Sequence, residues 1–162
     1  MSEIEVRAEE DADRAAVEDL VRRAFAGELE ARLVSQLRSD GDTILSLVAT
    51  EDGAIVGHIL FSRLAAPFRA LALAPLCVAP DRQHRGIGSR LVRAGLEWAR
   101  EAQWDAVFVL GDPAYYRRFG FALEPARSFD SPYAGEHFMM LALRERMPSG
   151  GALTYPKAFE AL

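Results

Sequence analysis

The sequence predicts a single mixed α/β domain, an α/β or α+β sheet with helices packed on it. Three observations carry this. Strand-like apolar runs stand at Ile44–Thr50, Ala54–Ser62 and Leu71–Val78. Apolar residues recur at helical spacing in three other places, at 17–25, 29–37 and 91–102. No repeat, low-complexity stretch or Gly/Pro/Ser linker separates them, and 162 residues, 50% hydrophobic, suffice for one core without metal or disulfide.

A short strand around Ile4–Arg7 opens the order. Val17, Leu20, Val21, Ala24 and Phe25 then mark one helix, for which Asp11 or Asp13 offers an N-cap. Leu29, Leu33 and Leu37 mark a second helix, broken before Gly41. Ile44–Thr50 and Ala54–Ser62 follow as strands joined at Asp52-Gly53, a strong hairpin signal. Leu71–Val78 is a strand interrupted by Pro75, which has no N–H for the ladder and so predicts a bulge or splay. Over Gly88–Gln103 the pattern is helical, with Leu91, Val92, Gly95, Ala99 and Ala102 inside and Arg90, Arg93, Glu97 and Arg100 outside. Ala106–Leu110 reads as a short buried strand. A brief helix over Pro113–Phe119 and a hairpin of Phe121–Glu124 with His137–Leu143 complete the prediction.

Composition excludes several classes. A net charge of −5 and the lack of an aromatic–basic stripe argue against a nucleic-acid partner. The lone cysteine, Cys77, forbids an internal disulfide, and no Cys/His group has zinc spacing, so no metal is expected. The first residues are acidic where a signal peptide would be basic and then apolar, and no run is long enough to span a membrane. The expectation is a cytoplasmic protein with no membrane partner.

The segment Leu76-Cys77-Val78-Ala79-Pro80-Asp81-Arg82-Gln83-His84-Arg85-Gly86-Ile87-Gly88-Ser89 is the most informative. A strand ends, a loop rich in Arg and Gly follows, and a helix begins at once. The first turn of a helix carries unpaired N–H groups and the positive end of its dipole, and glycine lets an anion approach the backbone. A Rossmann fingerprint fails because Leu91 stands where its third Gly or Ala belongs, and a P-loop fails for lack of Gly-Lys-Ser/Thr.

The pattern Gln83-x-x-Gly86-x-Gly88 resembles the Q/R-x-x-G-x-G/A signature of the GNAT acetyltransferases, which bind acetyl-CoA. Tyr116-Arg117-Arg118-Phe119-Gly120-Phe121 resembles that family's Y-x-x-x-G-F segment, in the same order along the chain. Three further runs, Val56–Ser62, Val109–Pro113 and Tyr155-Pro156-x-x-Phe159, resemble a bacterial, YhbS-like branch of predicted acetyltransferases. The resemblance implies a GNAT domain over residues 4–144, with 145–162 as an extension packed on it. It implies about six to seven strands splayed around the acetyl-CoA site and about four flanking helices.

The resemblance also implies roles. Backbone groups of Leu76, Cys77 and Val78 would hold the pantetheine as an added strand. The loop from Gln83 through His84, Arg85, Gly86, Ile87, Gly88 and Ser89 would take the pyrophosphate, with charge from Arg82 and Arg85. Tyr116 would be the general acid for the departing thiolate, a phenol being protonated at neutral pH. Some family members place a glutamate base on the strand before the loop, but Leu71–Val78 holds no acid. His58, Asp112 or a water chain are the substitutes, although a strand histidine is more often structural and Asp112 before Pro113 suits a helix cap. Cys77 reads as a buried packing residue and not as an acyl carrier.

The implied activity is direct acetyl transfer from acetyl-CoA to a primary amine of a small molecule or protein. A catalytically silent acyl-CoA sensor or interaction module is the alternative. Residues 1–62 hold 14 acids against six arginines, a balance that would attract a cationic acceptor or solvate two helix faces. A homodimer is left open.

Overall fold

The structure, a computed structural model, describes residues 3–162. Its main sheet runs in the order β1 (Ile4–Ala8), β2 (Thr43–Glu51), β3 (Ala54–Leu64), β4 (Ala70–Val78), β5 (Ala106–Leu110) and β7 (Phe138–Ala142). Every neighbouring pair is antiparallel except β4 and β5. The β2–β3 hairpin closes at Asp52 and Gly53, with φ of 52° and 81°, the left-handed pair that a twisted two-residue turn requires. Three longer helices cover the sheet: α1 (Arg14–Phe25), α2 (Leu29–Ser39) and α3 (Ile87–Glu101).

β3 is the central strand and is buried almost throughout, because both its faces are covered. Side chains alternate between faces along a strand. A Cβ on Gly57 would lie against Leu91 and Ile87 of α3, so that face belongs to α3. His58, the next residue, meets Ser46 on the face taken by α1 and α2. Val17, Leu20, Val21, Val34 and Leu37 of those helices are fully buried.

The strand that Pro75 was expected to disturb is disturbed. β4 pairs with β3 as far as Gly57 opposite Val78, but with β5 only from Ala70 to Leu73. Beyond Leu73 its β5-facing edge has no strand partner, and the two strands diverge.

Two local expectations are corrected. Asp11–Asp13 is a 3₁₀ turn, and Asp13 does not cap α1 through its side chain. Its carboxylate accepts from Arg7 at 2.7 and 3.0 Å and from the Glu10 amide at 2.8 Å, and these donors hold it off the helix. Phe121–Glu124 is not a strand. Ala122 makes a single bridge to Met140, and the chain then turns into α5 (Leu123–Ala126), where Pro125 could give a ladder no N–H.

The remainder forms layers that local patterning did not indicate. β6 (Phe129–Asp130) pairs in parallel with β8 (Gly151–Ala152). Thr154 exchanges backbone hydrogen bonds with Ala65 at 2.9 and 3.0 Å, and a 3₁₀ turn at Lys157–Ala161 buries Phe159. Between β5 and the β6 region lies the single-turn α4 (Pro113–Tyr116), continued by a 3₁₀ turn at Arg117–Phe119.

Gly95 fixes how closely α3 lies on β3, since a Cβ there would sit 2.3 Å from Phe61 Cε1. Alanine in a helix interior ordinarily gains about 1 kcal/mol over glycine. Here the overlap reverses the sign: Gly95→Ala is expected to lose about 1–3 kcal/mol in urea unfolding. A gain would show that α3 can lift off the sheet freely.

Candidate active site

A cavity of about 580 Å³ opens where β4 ends and α3 begins. Leu76, Cys77 and Val78 form one wall; Arg82, Gln83, His84 and the run Gly86–Ser89 form the floor; Ala24, Phe25, Tyr115 and Arg118 close it. Gly86 is the N-cap of α3 with φ of 80°, a left-handed conformation that glycine adopts without strain, and a Cβ there would meet only open space. None of the amides from Gln83 through Ser89 donates to a backbone carbonyl, so the loop presents a run of N–H groups at the positive end of a 15-residue helix. At Gly88 the fit is tighter: a Cβ would lie 2.9 Å from the Tyr115 hydroxyl, which is itself 3.4 Å from Ser89 Oγ.

The loop's side chains divide. Arg82 lines the cavity, but its guanidinium is bound to Glu51 at 2.6 Å and to Asp81 at 2.7 Å, which offsets much of its charge. Gln83 turns back to the Val78 carbonyl at 3.3 Å. Arg85 is exposed, stands 4.0 Å from Glu51 and does not line the cavity. Arg118 does line it, anchored to the Tyr115 carbonyl at 3.0 Å with its guanidinium 4.6 Å from the Tyr115 ring centroid.

A second cavity, about 290 Å³, lies in the gap between β4 and β5. Phe25 and Leu76 line both cavities, so the two adjoin there. Tyr116 faces the second one. Its ring packs edge-on against Tyr115 and Phe121, at centroid distances of 5.1 and 5.7 Å, and lies so close to Gly111 that a Cβ there would come within 2.5 Å. Burial pushes the Tyr116 phenol well above its ordinary range, so it keeps its proton, and the hydroxyl has no protein hydrogen-bond partner.

A model of the acetyltransferase (GNAT) family matches residues 10–121. The chain belongs to the GNAT acetyltransferase family. It is 39% identical over 122 residues to the uncharacterized N-acetyltransferase YhbS of Escherichia coli K12, covering 73% of each chain. It is 39% identical over 132 residues to the uncharacterized N-acetyltransferase YjhQ of the same strain, covering 75% of this chain and 71% of that one. The crystal structure of E. coli YhbS in complex with CoA superposes with a TM-score of 0.92 at 32% identity, covering 99% of this chain and 93% of that one. A GNAT acetyltransferase from Brucella melitensis in complex with acetyl-CoA gives 0.84 at 34% identity, covering 97% and 98%. The mixed six-stranded sheet with its flanking helices is thus the GNAT fold, and membership makes the protein an acyltransferase by family. Among the described residues no helix is long and apolar enough to cross a membrane, and no group of three His, Cys, Asp or Glu side chains could hold a metal.

Neither side chain singled out as a GNAT base substitute lines either of these two cavities. Asp112 is exposed and accepts from the Ala114 amide at 3.0 Å, capping α4. His58 is fully buried, with Nε2 2.8 Å from Ser46 Oγ. Ser46 donates to Glu9 at 2.6 Å, so His58 Nε2–H donates to Ser46 and the ring proton resides on Nε2. Burial and the Arg38 charge bring the imidazole down to about 3, so it is neutral, and its 4.0 Å approach to Glu9 is no ion pair. Cys77 is likewise inert: burial pushes its thiol up to about 12.

Sequence reasoning missed Phe25, Tyr115, Arg118 and Glu30 as lining residues. Arg118 and Tyr115 had a signal in adjoining the Tyr116 motif; Phe25 and Glu30 had none, because only the docking of α1 and α2 brings them to the gap.

His58 yields a stability prediction. Its folded value lies below its unfolded one, so the unfolded chain binds the extra proton between them. Its contribution is complete above about pH 6.5 and is lost as pH falls toward 3, at up to about 1.4 kcal/mol per pH unit. His58→Gln should flatten the unfolding free energy between pH 6.5 and 5; an unchanged slope would mean that His58 protonates in place.

Proposed function

We propose that this protein is an acetyl-CoA-dependent N-acetyltransferase that moves the acetyl group directly to a primary amine. The observation that carries the reading is that an anion-suited cavity and a more apolar one adjoin at Phe25 and Leu76, with Tyr116 in the second. The complexes of the E. coli and B. melitensis relatives with CoA and acetyl-CoA support assigning the first cavity to the donor.

The residues fit that group. The β5-facing edge of β4 along Leu76–Val78 suits the pantetheine amides, because it lacks a strand partner and meets only Gln83, at the Val78 carbonyl. The amides of Gln83 through Ser89, with His84 and Arg118 beside them, suit the pyrophosphate. Arg82 contributes less charge than its position suggests, and Arg85 acts from outside the cavity.

Bound acetyl-CoA supplies an activated acetyl group: the amine nitrogen forms the new C–N bond, the C–S bond breaks, and the sulfur leaves as thiolate. Tyr116, which burial keeps protonated in the resting site, holds the proton that this thiolate takes, and it regains one from solvent before the next turnover. The attacking nitrogen gives its proton to solvent at the open mouth, since His58 and Asp112 stand outside both cavities. Cys77, held as a thiol, carries no acyl group.

Tyr116→Phe keeps the ring packing and removes only the hydroxyl. Turnover should fall on the order of 10²–10³-fold while acetyl-CoA affinity by calorimetry is nearly unchanged. Tyr115→Phe serves as the comparison and should retain most turnover. Equal rates for Tyr116→Phe and the parent protein would remove Tyr116 from the mechanism. Binding of acetyl-CoA with no CoA release across a broad amine panel would instead support a silent acyl-CoA-binding domain.

A further inference from the structure

The second cavity has a composition that selects its occupant. Glu30 is the one charged residue among those lining it, and the rest are apolar or aromatic. Glu30 is half-buried in the first turn of α2 and has no side-chain hydrogen bond or ion pair, whereas most acids around it in α1 and its flanking turns are paired with arginine. Four large hydrophobic residues are exposed in the described chain: Phe25, Leu29, Leu110 and Leu162. Three of them, Phe25 at 38%, Leu110 at 52% and Leu162 at 52%, rim this cavity, and the fourth adjoins Glu30 in sequence. Exposed apolar side chains gathered around a concavity mark a place where an apolar ligand sheds water.

The far wall is a set of rings. Tyr133 and Tyr155 meet edge-on at 4.8 Å between centroids, and Tyr155 and Phe159 at 5.2 Å. These three and Leu162 all lie beyond residue 121, where the match to the family model ends. This wall is therefore supplied by a part of the chain beyond the segment that the family model matches.

Resting on the reading of the first cavity as the acetyl-CoA site, we propose that the acceptor is a small primary amine with one cationic group on an aromatic or bulky apolar body. Glu30 draws the ammonium in, the nitrogen loses a proton to solvent at the mouth before the neutral amine attacks the thioester, and Phe25, Leu110, Tyr133, Tyr155, Phe159 and Leu162 enclose the body. A polyamine fits poorly, because its second and third ammonium groups would be drawn from water into a lining that offers one charged side chain. The volume of about 290 Å³, at the small end of ligand cavities, suits a single- or double-ring amine.

The test measures kcat/KM with saturating acetyl-CoA for 2-phenylethylamine, tryptamine, spermidine and a lysine-containing peptide. The aromatic monoamines should exceed the other two by tenfold or more. Glu30→Gln should raise KM for 2-phenylethylamine about ten- to a hundredfold, the scale of a lost charged hydrogen bond, with acetyl-CoA affinity unchanged. Phe159→Ala should narrow the gap between the aromatic amines and spermidine. Faster turnover of spermidine or of the peptide, no turnover of either aromatic amine, or an unchanged KM in Glu30→Gln overturns the inference. Calorimetry of acetyl-CoA on the same preparation distinguishes this failure from that of the cofactor reading, which alone would abolish donor binding.

Discussion

The site depends on the hydrogen bonds that β4 does not make. A parallel pair of buried strands normally runs its ladder to the end, since unpaired backbone groups in a core are costly. Here the ladder to β5 stops at Leu73, five residues before β4 itself ends, and Pro75 has no N–H with which to extend it. The gap that results is the second cavity. The freed edge of Leu76–Val78 becomes a wall of the first. β3, paired with β4 through Val78 and clamped between α3 and the α1–α2 pair, keeps the strand in place despite its missing neighbour.

Given that gap, the two cavities differ in character for reasons visible in their linings. The first has the helix terminus and its unpaired amides, an environment prepared for negative charge before any ligand arrives. Arg82 adds less charge to it than its position suggests, because it is committed to Glu51 and Asp81. The second is largely apolar and ring-lined, with a phenol that burial keeps protonated. A phenol that keeps its proton until a thiolate forms beside it is what the proposed role of Tyr116 requires. His58, Ser46, Glu9 and Arg38 form a separate polar group that lies outside both cavities.

How much was legible in the sequence follows from the range of each interaction. The Gly86–Gly88 loop, the hairpin at Asp52-Gly53 and the interruption at Pro75 are local, so a few adjacent residues specify them. The fate of Arg82 is not local: Glu51, 31 residues away, captures it across the β2 end. Asp13 misled as a cap because Arg7 on β1 competes for its carboxylate. Phe121–Glu124 has strand-like residues, but Pro125 ends the ladder after one bridge. Least visible was the aromatic wall of Tyr133, Tyr155 and Phe159, since rings scattered over 27 positions meet only when the last segment folds back onto Ala65 and α2.

The central claim is that the unpaired end of β4 joins a donor site to an acceptor site, and a crystal structure with acetyl-CoA bound tests it most directly. The account predicts the pyrophosphate on the amides between Gln83 and Ser89 and pantetheine bonded along Leu76–Val78. It also predicts the thioester at the Phe25–Leu76 boundary, with the Tyr116 hydroxyl within hydrogen-bonding reach of sulfur. Pyrophosphate held elsewhere, or a thioester facing away from the second cavity with Tyr116 out of reach, would contradict it.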